Sequence, residues 1–210
     1  MAESIFLALL AALVSLDVTA FGQFMISRPI VVGPVFGYLL GDIKTGIWLG
    51  MIVEMIWVNV IPMGASVPPD TTAIAILAMV WGMRSMPNNP SAMVLALVLA
   101  VPAAVLFRLI DVAQRYLHVR IARWVQEGDA SGLEHRVSIG VYVGLSLFFT
   151  KAFIFYVALM YAGTLLTRTV FMRLSYGAIS GMGIAWRVLP VIGLAFMLKN
   201  FSVNFLSAKK

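Results

Sequence analysis

Residues 92–107 (AMVLALVLAVPAAVLF) carry no charge and are interrupted only by Pro102, and apolar runs of similar character recur along the chain. A bilayer core about 30 Å thick is crossed by about 20 such residues in a helix. Across all 210 residues, 61% are hydrophobic, only 11% are charged, and the mean hydropathy is +0.97. A soluble domain carries roughly a quarter charged residues. The gap excludes an ordinary globular enzyme, a disordered chain and a small disulfide scaffold. The expectation is an all-α polytopic membrane protein, one domain over 1–210, with about six to eight transmembrane or re-entrant helical segments embedded in a lipid bilayer.

Fifteen Lys and Arg against nine Asp and Glu give a net charge of +6. The basic residues stand at segment ends, where they act as topology determinants, so nucleic acid is not an expected partner. There is no cysteine, which excludes disulfides, thiolate metal sites and thiol chemistry on this chain. His118 and His135 have no second ligand at metal spacing, and no nucleophile is paired with a base. No cofactor is expected, and any chemistry belongs to another chain. The first four residues lack the basic start of a secretory signal, so residues 4–21 read as an uncleaved first span.

The segments are uneven. Residues 29–40 (PIVVGPVFGYLL) are too short for a full crossing and contain Pro34, which predicts a broken or re-entrant segment shielded from lipid. Residues 45–61 form a span with Glu54 near its middle, 62–70 (PMGASVPPD) are unsuited to continuous helix, and 71–83 form another short apolar stretch. Two short segments within the first ninety residues point to a substrate site built from discontinuous helices. Residues 92–107 run into an amphipathic tail, 108–127, and a polar loop, 128–136. With five arginines, 108–136 is the expected cytoplasmic stretch. Residues 137–166 and 174–198 complete the spans, with Arg168 and Arg173 flanking the turn between them. Glycines 33, 37 and 41, 46 and 50, and 140 and 144 are spaced for close helix approach.

Glu54 is the most informative polar residue, because an acid at a helix centre costs about 2.5–3.5 kcal/mol to insert. It accepts hydroxyl hydrogen bonds from a neutral polar solute, titrates as a proton site, or pairs with Lys151 or Arg187. Asp70 suits a helix N-cap and also stands where a sugar hydroxyl could be held. Asn59 shares Glu54's site only if the chain unwinds near Pro62, and Trp57 lies close to Glu54's face, as a stacking platform or as packing. Gln23 and Arg28, between the first span and the short segment, are interfacial polar groups or the mouth of the site; Asp17 is equally open. The run 41–46 (GDIKTG) lacks the order of a phosphate-binding loop.

The runs beginning at Arg28 (RPIVVGP), Leu40 (LGDIKTGI), Glu54 (EMI) and Gly64 (GASVPPD), with the later blocks at Gly181 (GMGI) and Leu189 (LPVIGLAFMLK), resemble one family. It is the IIC permease subunit of the mannose/fructose/sorbose class of the bacterial phosphotransferase system (PTS). The middle of the chain, 90–175, is similar mainly in hydropathy and length. The resemblance implies an inner-membrane subunit in an oligomeric complex with a IID membrane subunit and cytoplasmic IIA and IIB subunits, binding and translocating a hexose or amino-hexose. The IIA and IIB subunits relay phosphate from phosphoenolpyruvate, so this chain is not itself an enzyme. Glu54 and Asp70 occupy the family's acidic positions, with Asn59, Gln23 and Arg28 as further site candidates. Family members continue past Lys199 with further apolar sequence, which implies a shortened terminal segment here. The rival expectations are a PTS-independent, proton-coupled secondary transporter with Glu54 as proton carrier, and a non-transporting membrane scaffold.

Overall fold

The computed structural model describes residues 2–19, 22–58, 68–127 and 132–207. Among them are seven helices: α1 (Ala2–Thr19), α2 (Pro29–Leu39), α3 (Ile43–Trp57), α4 (Thr71–Ser85), α5 (Pro90–Gln126), α6 (Leu133–Arg173) and α7 (Tyr176–Ser207). Three are long and apolar enough to cross a bilayer: α5, α6 and residues Tyr176–Lys199 of α7.

The short α2 and α3 form an antiparallel hairpin. Pro29 starts α2, where its missing N–H costs nothing. At its other end, Asp42 N–H donates to Gly37 O (2.9 Å) and Gly41 N–H to Tyr38 O (3.1 Å). Gly41 takes φ +87°, so this is a Schellman stop with glycine in the left-handed position. Asp42 then caps α3, accepting from Thr45 N (3.0 Å) and Thr45 Oγ1 (2.5 Å). Along the seam the helices meet glycine to glycine. A Cβ on Gly46 would lie 2.7 Å from Gly37 Cα, and one on Gly33 would lie 2.9 Å from Gly50 Cα. The spacing read from sequence therefore works at four positions, while Gly41 serves the turn instead.

Helix α4 is the axis of the bundle. Residues 72–82 are all buried, as expected of a helix apolar on every side. Around it stand the hairpin, α1, α5 and α6. Helix α1 presents Ser4, Leu7, Ala8, Ala11, Ala12 and Ser15 inward and leaves Ile5, Phe6, Leu9 and Leu13 exposed, a small-residue face for close packing with lipid behind it. The far end of α4 is tied down by Arg84, which bonds Ser4 Oγ (2.5 Å) and pairs with Glu3 (3.2 Å), and by Ser85 Oγ donating to Thr164 O (3.1 Å).

The amphipathic tail 108–127 continues the 92–107 span as one helix, α5, whose 37 residues extend about 55 Å at 1.5 Å per residue. The polar loop is shorter than 128–136, because Leu133 already opens α6; Arg173 ends α6 beside the turn at 174–175, as expected, whereas Arg168 lies within the helix. Helices α5 and α6 run antiparallel, with Gly140 against Ile121 and Val125, so their outer halves form an arm beyond the bundle. At its base Asp111 meets Lys151 (3.0 Å), Arg108 (3.5 Å) and Arg115 (3.8 Å). Lys151 also sits over the rings of Phe148 (4.1 Å) and Phe107 (4.4 Å).

Candidate functional site

The described part of the loop after α1 is shaped by one acid. Asp17, buried near the end of α1, accepts from Phe24 N (2.6 Å), Ser27 N (3.1 Å) and Ser27 Oγ (3.1 Å). These bonds help hold Gln23 (φ 51°) and Met25 (φ 64°) in the left-handed region, which costs non-glycine residues energy unless the surroundings impose it. Thr72 Oγ1 of α4 donates to Ser27 O (2.8 Å) and so pins the loop to the bundle axis.

Between this loop, the end of α1, the start of α4 and one face of α5 lies a cavity of about 410 Å³, lined by Asp17, Gln23, Arg28, Asp70, Thr72 and Arg108 among others. That is within the usual range for small-molecule sites, about 300–1,000 Å³. Asp70 is the N-cap of α4, its Oδ1 accepting from Ala73 N (2.9 Å). One carboxylate oxygen is used in capping, and the other remains available. Two acids and two arginines balance in formal charge, which fits a neutral ligand rich in hydroxyls better than an ion.

Glu54 is placed differently from either sequence alternative for its partner. It pairs with Arg28 at 2.9 Å and accepts from Ile30 N at 3.4 Å, not with Lys151, which belongs to Asp111, nor with Arg187. It stands behind Arg28, outside the cavity lining, and orients the guanidinium that reaches the cavity. Gln23, Arg28 and Asp70 thus come together in one lining and Glu54 supports it; Asn59 lies outside the described residues. Trp57 packs against the apolar core. Sequence reasoning did not single out Thr72 for the site, left Asp17 open, and read Arg108 as a topology marker. An acid in the last turn of an apolar helix was the one available signal for Asp17.

A family model described as the PTS system sorbose-specific IIC component matches residues 1–206. The mannose-specific EIIC component of the PTS of Escherichia coli (strain K12) is 26% identical over 199 residues, 88% of this chain and 68% of that protein. A putative N-acetylgalactosamine permease IIC component 2 of the same organism is 42% identical over 43 residues, 20% of this chain and 32% of the relative. The sorbose-specific EIIC component of Klebsiella pneumoniae is 39% identical over 59 residues, 27% of this chain and 21% of that protein. These last two matches thus span a third or less of each relative's length. Among solved structures, a chain of the cryo-EM structure of the mannose transporter ManYZ with microcin E492 superposes with a TM-score of 0.68 at 21% identity, covering 100% of this chain and 87% of that one. That likeness shows the fold. With the family model matching nearly the whole sequence, the chain belongs to the sorbose-specific IIC family of the phosphotransferase system.

Proposed function

We propose that this chain is the sugar-binding and translocating IIC subunit of a phosphoenolpyruvate-dependent phosphotransferase system of the mannose/fructose/sorbose class, in a bacterial inner membrane. The family match over residues 1–206 carries the reading, and the charge-balanced cavity supplies a place for a hexose or amino-hexose. Asp70, Gln23, Arg28 and Arg108 offer acceptors and donors to ring hydroxyls, with Glu54 fixing Arg28. The cavity adjoins Arg108, at the base of the arginine-rich arm. With residues 108–136 on the cytoplasmic side, it lies nearest the face where cytoplasmic IIA and IIB partners would deliver phosphate.

The arm also supports a membrane partner of the IID kind. Tyr116, Leu117, Trp124, Val141 and Tyr142 are exposed along it, more apolar surface than a solvated helix pair leaves bare. The proton-carrier alternative is weakened, because Glu54 is engaged by Arg28 and Ile30 N rather than standing alone in mid-helix. The test is phosphoenolpyruvate-dependent phosphorylation of mannose, sorbose and N-acetylgalactosamine by membranes containing this chain with its IIA, IIB and IID partners. Phosphorylation that disappears when this chain is omitted supports the reading. Its absence, with the partners active beside another IIC subunit, overturns it.

A further inference from the structure

A second polar cavity lies at the other end of α4. It measures about 240 Å³, is open on one side, and is lined by the hairpin turn (Asp42, Thr45), the turn and N-cap before α5 (Asn88, Asn89), Met83 of α4 and Trp186 of α7. From Thr72, in the first cavity, to Met83, in the second, is about 17 Å along the axis at 1.5 Å per residue. The stretch between is closed: every residue from 72 to 82 is buried.

Two of the lining residues have structural duties, and these do not exhaust their bonding capacity. Asp42 accepts from Thr45 with both oxygens, yet a carboxylate has about four lone-pair sites. Asn89 uses its Oδ1 to cap α5, accepting from Ser91 N (3.0 Å) and Ala92 N (3.4 Å), which leaves its amide N–H groups free. Capping does not account for the rest. Among the described residues, the amide of the exposed Asn88 and the indole N–H of the half-buried Trp186 have no hydrogen-bond partner within the chain and are open to a ligand, and Asn88 takes φ 59°, which asparagine adopts readily. A carboxylate, two side-chain amides, an indole with an unused N–H and a thioether floor meet where four helices, α3, α4, α5 and α7, converge. One formal negative charge with several amide donors disfavours an anion. The combination suits a neutral polyhydroxy ring, with hydrogen bonds at its edge and an aromatic surface for its C–H face.

We propose that this Asp42–Asn88–Asn89–Trp186 cavity is a second sugar-binding site, on the opposite face of the bundle from the first. It receives the same hexose or amino-hexose before translocation. The proposal rests on the sugar reading of the first cavity. It gives the transport route two polar ends separated by the closed α4 axis.

The chain's lack of cysteine allows a direct test. Val18→Cys places a single thiol in the first cavity and Met83→Cys places one in the second. Pro90→Cys, at a residue that also lines this cavity, is a second reporter there should Met83→Cys fail to assemble. Each full-length variant is co-expressed with its IID partner in membranes. Each is labelled with a maleimide with and without mannose, sorbose or N-acetylgalactosamine. A bound sugar at ten times its dissociation constant slows labelling about ten-fold. Slowing is expected at both positions. Adding Trp186→Phe or Asn88→Ala should remove protection at residue 83 and leave it intact at residue 18. Protection at residue 18 alone overturns the second site while the sugar reading of the first stands. Protection at residue 83 that survives both substitutions also overturns it, because the slowing would then be conformational. Protection at neither position overturns both readings.

Discussion

Arg28 and Glu54, 26 residues apart in sequence, meet at 2.9 Å across the open end of the α2–α3 hairpin, and through that contact an acid outside the cavity controls a cation that lines it. With Arg28's side chain 46% exposed, an ion pair of this kind contributes about 0.2–1 kcal/mol. Glu54→Gln should therefore weaken sugar binding by up to about five-fold. Arg28→Gln should do the same, and the double variant should be no worse than either, since both act through one guanidinium. Sugar titrations of the four proteins check this. Additive losses would instead mean that Glu54 touches the sugar itself.

The glycine seam should tolerate no side chain. Gly46→Ala drives a Cβ to 2.7 Å from Gly37 Cα, whereas a Cβ on Gly144 meets nothing within 4 Å. Overpacking costs about 1–3 kcal/mol, so Gly46→Ala should lower the detergent melting temperature and Gly144→Ala should leave it unchanged. Equal behaviour of the two would contradict the hairpin packing.

Gly163 has a distinct neighbour. Its face receives the indole of Trp81, whose Nε1 donates to Leu159 O at 2.8 Å. Gly163→Ala should destabilise by about 1–3 kcal/mol, because ring and methyl would occupy the same space. Trp81→Leu should remove most of that extra cost when the two are combined, as a double-mutant melting series would show.

The charge cluster at the base of the arm predicts an asymmetry. Without Lys151, Asp111 keeps Arg108 and Arg115; without Asp111, Lys151, whose side chain is 11% exposed, keeps only two aromatic faces. Uncovering a buried charge costs about 3–5 kcal/mol. Asp111→Asn should therefore be the more damaging change, and Lys151→Met added to it should restore much of the loss. Thermal unfolding of the three variants decides the order.

The short helices were legible because their limits are chemical. Pro29 opens α2, Asp70 caps α4, and the lengths of the apolar runs between breakers match the helices closely. The extension of α5 past residue 107 was legible, because Leu109, Val112, Leu117, Ile121 and Trp124 keep a helical face while arginines take the other side. Arg108 and Arg115 flank Asp111 at helical spacing and support the continuing turn. Glu54's importance could be read from its insertion cost, but its partner could not. Lys151 and Arg187 are the cations buried in apolar sequence, whereas Arg28 sits in a loop whose path depends on Asp17 and on left-handed residues that carry no pattern. The cavity itself is a product of that loop, so three of its lining residues were nameable in advance and its shape was not.

A hairpin zipped backbone to backbone has no rotamers with which to absorb a slip. Sliding α2 past α3 by one residue would bring a branched side chain such as Val32 or Ile47 into a seam that cannot accept a methyl group, so the two helices keep one register and behave as a stiff lever. At one end of that lever stand Arg28 and Glu54, at the other Gly41 and Asp42. Arg28 lines one cavity and Asp42 the other, so residues of both cavities are carried on one two-helix unit whose register the glycine strip fixes.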